Sequence, residues 1–209
     1  MIAASDCVAV VLAAGKGSRF GGGKLDVEID GIAAGTRAWR AIGHRRWHRA
    51  FVVVPTEAPQ FAKHLVGVGV ELLINRNINY GLSHSIALAA RTAQDIRAQA
   101  LLVILADMPL VRSVTIDGIL AAHNAGCGAS ATVSRYEDGG LGPPALFGHG
   151  WFADLQALSG DRGAGKLLAE RPDRVKVIDL PHDEAFDLDR PGDVDRIAAL
   201  RSGETDMSA

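Results

Sequence analysis

Lys24 closes the stretch of this 209-residue chain richest in groups that bind anions. In Val8–Lys24, VAVVLAAGKGSRFGGGK, the last ten residues hold five glycines, two lysines, one arginine and one serine, directly behind an unbroken apolar run. An apolar strand that empties into a glycine-rich cationic loop presents backbone N–H groups and positive side chains to phosphate. Two familiar phosphate loops are excluded. A dinucleotide fingerprint starting at Gly15 requires glycine where Phe20 stands. A Walker loop ending at Gly23-Lys24 requires glycine at Ser18 and a hydroxyl at Leu25. The plainer alternative is a glycine-rich surface turn carrying incidental charges.

Carboxylates form the second group. Asp107 follows the apolar run Leu101–Leu105, and Pro109 stiffens the turn after it. A carboxylate at the end of a buried strand is desolvated unless a cation meets it, and Mg²⁺ would serve. The alternative is an aspartate capping the next helix, but that helix is expected to start only at Ser113 or Thr115. In FDLDRPGDVDRI, Asp193 falls in the first turn of a helix, where the dipole favours it whatever the function. Asp189, beside the turn, is free to point back toward Asp107. Two carboxylates from distant parts of the chain around one Mg²⁺ would hold a nucleoside triphosphate.

Three other patterns are weaker. GDRGAGK at 160–166 begins like a Walker loop, but Leu167 replaces the metal-binding hydroxyl and the preceding WFADLQALS has helical spacing. A turn containing Asp161, Arg162 and Gly163 between two helices is the expected structure, within reach of a second substrate. Ser83-His84-Ser85 suggests a nucleophile, yet no acidic residue is placed to orient His84, and serines at a helix start act as caps. His44 and His48 stand i, i+4 on an expected helix over residues 36–47 capped by Thr36; without a third ligand they read as a solvated basic face.

The elements that must position these groups alternate. Strands are expected at 8–12, 51–54, 70–74, 101–105, 129–134 and 144–147, with helices at 36–47, 60–65, 82–97 and 114–124 between them. The segment 25–31 reads as a short half-exposed strand or a cover over the loop. Strands separated by crossover-length helices predict a single-domain, doubly wound, mostly parallel α/β sheet, with ligands at the carboxyl ends of its strands. The loops 13–24, 75–85 and 106–110 each follow a strand and should share that rim. One domain over residues 1–201 and a flexible C-terminal tail over 202–209 are expected.

A net charge of −2 and 22% charged residues imply no broad field toward nucleic acid or an acidic membrane, so the expected partner is small. Two unclustered cysteines, Cys7 and Cys127, suit a reducing compartment. The run at 8–14 has Asp6 before it and is too short for a membrane helix, so a soluble, cytoplasmic protein is expected.

LAAGKGSRFGGGK, NRNINYGLSHSI, LADMPLV, GPPALF, LSGDRGAGKLL and DLDRPGDV occur in the order seen in MobA-like nucleotidyltransferases, and over residues 8–200 the chain most resembles the molybdenum cofactor cytidylyltransferases. The resemblance implies a Rossmann-like nucleotidyltransferase fold. It places Leu12, Ala13, Ala14, Gly15 and Gly17 along the nucleotide and Arg19 and Lys24 on its phosphates. Asn75, Gly81 and Ser83 would line the base and ribose pocket. Asp107 would bind Mg²⁺, with Asp189 as the second carboxylate. Two departures bear on the substrate: Pro143 stands where relatives carry a polar residue, and the text after Lys24 differs from theirs.

The reaction so implied is attack of a phosphorylated acceptor, molybdopterin in this branch, on the α-phosphorus of CTP, with release of pyrophosphate and with a molybdoenzyme as possible recipient of the product. GTP in place of CTP, a sugar phosphate or methylerythritol phosphate as acceptor, and a non-catalytic nucleotide- or cofactor-delivery protein are the rivals.

Overall fold

The computed structural model describes residues 1–209 apart from 16, 18, 19, 44, 69, 127–129, 161, 162 and 207–209, and only the backbone of 201–206. In chain order its elements are β1 (Cys7–Leu12), β2 (Glu28–Ile29), β3 (Ile32–Ala33), α1 (Ala34–Arg40), β4 (Arg49–Pro55), α2 (Gln60–Val66), β5 (Glu71–Asn75) and α3 (Leu82–Asp95). They continue with β6 (Ala100–Leu105), α4 (Ser113–Ala125), β7 (Ala131–Arg135), β8 (Leu141–Gly148), α5 (Phe152–Gln156), α6 (Gly165–Ala169), β9 (Val175–Asp179) and α7 (Asp193–Asp206).

Seven strands form one sheet in the order β5-β4-β1-β6-β8-β7-β9. β1 pairs in parallel with β4 on one side and β6 on the other, β4 with β5, and β7 with β9; β8 alone runs against its neighbours β6 and β7. From β1 the chain winds outward through β4 and β5, then returns to add β6 on the opposite side. The reversal of order therefore falls between β1 and β6, where a crevice opens beyond the strand ends.

The all-apolar text of β1 is explained by its place at the centre: every residue from Cys7 to Val11 is 0% exposed. Alternate residues face two cores. Cys7, Ala9 and Val11 meet Ala38 of α1, Phe61 of α2 and Ile116 of α4. Val8, Val10 and Leu12 meet Ile86 and Ala90 of α3 and Leu155 of α5. Each buried Val or Leu contributes about 1.5–3 kcal/mol, so the central strands make the site's floor the stiffest part of the molecule. Cys7 is structural: burial pushes its thiol up to about 12.

Several elements differ from expectation. The first helix runs Ala34–Arg40 with Ala33 as its cap, so Thr36 lies inside it. The hairpin of β2 and β3 feeds straight into that helix, and Arg37 fastens it by donating through Nε to the Ile29 carbonyl at 3.0 Å. His48 follows the helix instead of lying on it, its amide donating to the Cys7 carbonyl at 2.9 Å; His44 lies outside the described residues. β9 is an unexpected strand at the sheet edge, where its half-exposed VKVID text gives little hydrophobic contrast. The last helix extends to Asp206, into the residues expected as a tail. It packs through Ile197 on Ile29, Ala34 and Leu188.

Candidate active site

The loops expected on one rim meet there. Leu12, Ala13, Ala14, Gly15, Lys24, Gly81 and Asp107 all line a cleft of about 360 Å³ at the β1–β6 switch point. Its remaining walls include Ile78, Leu82, Ser85 and Leu105. Gly17 lies just beyond, on the other side of Lys24. Arg19, Asp161 and Arg162 fall outside the described residues.

Local chemistry explains how the loop delivers its lysine. Gly21, Gly22 and Gly23 have φ of 85°, 101° and 66°, a left-handed run that side chains with a Cβ resist. It turns the chain into a short 3₁₀ segment, Lys24–Asp26, whose Asp26 carboxylate accepts from the amides of Gln60 (3.0 Å) and Phe61 (2.7 Å) at the start of α2. The backbone at Lys24 is thereby clamped, and its side chain points across the crevice.

There Lys24 Nζ lies 2.6 Å from Asp107 Oδ2 and 3.5 Å from Asp189 Oδ1, with the lysine side chain only 11% exposed. Asp189 thus points back at the rim, while Asp193, the first residue of α7, ties down the turn before its helix by accepting from the amides of Asp189 (3.0 Å) and Arg190 (2.7 Å). Leu188 sits fully buried between two aspartates, and its amide donates to the Asp107 carbonyl at 2.8 Å. That bond brings the C-terminal segment to the end of β6.

Asp187 is the carboxylate the sequence left unranked. Though it reaches solvent at a cavity mouth, it is held up at about 7, first by burial of the carboxyl and then by the charges of Asp107 and Asp189, against the pull of Lys24. Three carboxylates thus crowd one ammonium. Among the described residues, no group of three or more His, Cys, Asp and Glu side chains is placed to hold a metal ion.

Asn75 and Ser83 lie one layer behind the cleft wall, each 1% exposed. Asn75 donates to Ser85 Oγ at 3.0 Å, accepts from the Asn77 amide at 2.8 Å, and meets His84 Nδ1 at 2.9 Å. Ser83 Oγ donates to the carbonyls of Tyr80 and Gly160. These contacts hold the 75–85 loop in shape, with Gly81 at φ 77°, ψ −167° turning it into α3. His84 has an amide partner and stacks on Tyr80, and Ser83 is spent on carbonyls, so no nucleophilic pair forms.

A second cavity, of about 840 Å³, adjoins the first through Leu82 and Leu105, which line both. Its walls are largely apolar: Ile86, Val103, Ala145, Phe147, Leu168 and Phe186 among them, with Lys166, His182, Glu137 and Asp187 around them. Pro143 is on this wall, its carbonyl accepting from the Tyr136 hydroxyl. Burial, then Asp187, Asp107 and Asp138, push that hydroxyl upward, so it stays protonated and donating. The Walker-like segment at 160–166 comes after helix α5 rather than after a strand, and of its described residues Ala164 and Gly165 supply cavity wall.

A buried network supports the segment carrying the aspartates. Glu184, 0% exposed, accepts from Arg112 Nε (2.7 Å), the Arg112 amide (2.9 Å) and Thr115 Oγ1. Sequence reasoning missed Glu184; its only signal is an acidic residue in an otherwise polar loop.

The chain is similar over most of its length to several known proteins. The purine catabolism protein PucB of Bacillus subtilis is 26% identical over 205 residues, covering 88% of this chain and 95% of PucB. The solved structure of Rv0371c from Mycobacterium tuberculosis superposes with a TM-score of 0.76 at 23% identity, covering 95% and 100% of the two chains. The same protein has been solved with manganese, with a TM-score of 0.71 at 22% identity and coverage of 92% and 98%. A nucleotidyl transferase from Methanothermobacter gives 0.73 at 23%, covering 94% and 98%. The mostly parallel central sheet and its flanking helices are therefore the fold of these solved structures. Residues 9–175 match the MobA-like NTP transferase domain, and the chain belongs to that family.

Proposed function

We propose that the protein transfers CMP from CTP to the terminal phosphate of a molybdopterin-type acceptor, releasing pyrophosphate. The observation that carries this reading is the adjacency of two unlike spaces that share Leu82 and Leu105. The smaller is built on a glycine loop and carries Lys24 and Asp107; the larger is a mainly apolar cavity with Asp187 on its wall. A flat heterocyclic acceptor suits the apolar walls better than a sugar phosphate, which would require many hydrogen-bonding side chains. The choice of CTP and molybdopterin rests on the resemblance of the motif segments to the molybdenum cofactor cytidylyltransferases.

In this reading Leu12–Gly15 and Gly17 run along the nucleotide, with Gly81 and the loop braced by Asn75 and Ser83 around its base and ribose. Lys24, with Arg19, neutralises the phosphates. The acceptor phosphate is already anionic, so the protein need supply orientation and charge rather than a strong base.

Asp107 and Asp189, with Asp187 beside them, would hold a divalent cation, Mg²⁺ or the manganese found in the Rv0371c structure. The donor set is one of hard carboxylate oxygens: Asp187 is held at about 7, first by burial and then by the charges of Asp107 and Asp189, and a divalent charge would offset that repulsion. When bound, the metal would supply charge neutralisation at the α-phosphate.

The test is pyrophosphate release from each of the four nucleoside triphosphates against molybdopterin, a hexose 1-phosphate and methylerythritol phosphate, with Mg²⁺ or Mn²⁺. Turnover confined to CTP and molybdopterin is expected. Turnover with a sugar phosphate would overturn the acceptor, and triphosphate binding without turnover on any acceptor would favour a delivery protein.

A further inference from the structure

The wall of the larger cavity is irregular where β7 meets β8. Val133 pairs with Ala145 and Ser134 with Gly142, so Pro143 and Pro144 bulge out of register between them. Neither proline has an N–H to give, and hydroxyls take up both of their carbonyls: Ser134 Oγ donates to Pro144 at 2.8 Å, and the Tyr136 hydroxyl donates to Pro143. The Tyr136 backbone is fixed from both sides, its amide donating to the Gly140 carbonyl and its carbonyl accepting from the Gly139 amide, each at 2.9 Å. The ring folds back over Gly142 so closely that a Cβ there would lie 2.8 Å from Oη and 2.9 Å from Cε2. Glycine at 142 thus allows the ring to lie against β8, and both residues line the cavity.

A phenol has one proton and two lone pairs to offer. Tyr136 has committed its proton to Pro143, and burial, then the charges of Asp187, Asp107 and Asp138, keep that proton in place. What remains for an occupant of the cavity is an accepting oxygen. An N–H or amino group on the edge of a heterocycle matches it, whereas a carboxylate or second phosphate would be repelled.

We propose that Tyr136 is a specificity-determining residue of the acceptor cavity: its oxygen accepts a hydrogen bond from an N–H or amino group of the acceptor, and Gly142 keeps its ring out of the space the acceptor fills. This rests on the nucleotidyl-transfer reading above, with the acceptor in the larger cavity. The test is pyrophosphate release from CTP and molybdopterin by wild-type, Tyr136→Phe and Gly142→Ala proteins, with phenyl phosphate as a competing flat phosphate that has no N–H or amino group. Tyr136→Phe is expected to raise KM for molybdopterin about three- to tenfold, as loss of one neutral hydrogen bond does, while KM for CTP and inhibition by phenyl phosphate change by less than about twofold. Gly142→Ala, which turns the ring into the cavity, is expected to weaken molybdopterin and phenyl phosphate alike. In a Tyr136→Ala background, where the ring is gone, the same substitution should add less than about a twofold effect. A Tyr136→Phe enzyme with unchanged KM for molybdopterin, or one that loses molybdopterin and phenyl phosphate equally, would overturn the role of the hydroxyl. Additive effects of Gly142→Ala and Tyr136→Ala would overturn the role of the glycine. Wild-type protein that binds CTP but releases no pyrophosphate with molybdopterin would overturn the acceptor reading and this one together.

Discussion

Lys24→Met removes the ammonium and keeps most of the side-chain volume, so its consequences follow from charge. The ammonium lies 2.6 Å from Asp107 and 3.5 Å from Asp189. At an effective dielectric constant of about 20 those separations correspond to gross attractions of about 6 and 5 kcal/mol. Desolvating a lysine that is 11% exposed offsets much of this, and water reaches Asp107 and Asp189, which are 24% and 46% exposed. A net destabilisation of about 2–3 kcal/mol remains, a fall in Tm of about 5–10 °C for a chain of this size. Mg²⁺ should restore more Tm to the variant than it adds to wild type, because the carboxylates have lost their internal cation. Activity should not return with it: a missing charge at the reacting phosphate costs about 10²–10³ in kcat. Lys24→Arg should recover stability better than turnover, since a planar guanidinium cannot reproduce a point charge among three carboxylates. The assay is pyrophosphate release beside a thermal melt with and without Mg²⁺. A Lys24→Met enzyme with kcat within fivefold of wild type would refute the role given to this residue.

Asn75→Ala deletes the buried amide that joins Ser85, Asn77 and His84. It should cost about 1–3 kcal/mol in a urea melt and weaken CTP more than inorganic pyrophosphate, because the loop it braces is at the nucleoside end. His123 is buried against Thr132 Oγ1 at 3.2 Å, and burial lowers its pKa below the ordinary 6.5. Its neutral form is favoured by folding, so its stabilisation is complete above pH 6.5 and is lost as pH falls from there through the folded value. His123→Gln should flatten the decline of the urea midpoint between pH 7 and 5; an unchanged slope would remove this residue from the acid response.

Much of this molecule could be read before it was folded. The central strands announce themselves because burial on both faces forces continuous apolar text, as in Val8–Leu12 and Leu101–Leu105. The glycine loop is as plain, since left-handed φ values at Gly21–Gly23 admit little else. From these two signals came the sheet, the rim and the importance of Lys24 and Asp107. The edges were harder. β9 is half exposed and pairs on one side, so its alternation is faint, and α1 takes its start from a two-residue hairpin fixed by Arg37 rather than from a capping hydroxyl.

By itself, then, the sequence pointed to a cationic glycine loop ending in Lys24 behind a buried strand, with Asp107 and Asp189 expected near it on the same rim. Only the tertiary structure decided the company that lysine keeps. The Leu188 amide on the Asp107 carbonyl draws residues more than eighty positions away into the same crevice, adding Asp187 to the expected pair and setting Lys24 against Asp107 and Asp189. Buried Glu184, gripped by Arg112 and Thr115, holds the segment that carries them. The same packing turned Asn75 and Ser83 inward as braces and left Ser85 on the wall. Such pairings depend on which strand ends lie side by side, a property of sheet order that no local spacing encodes.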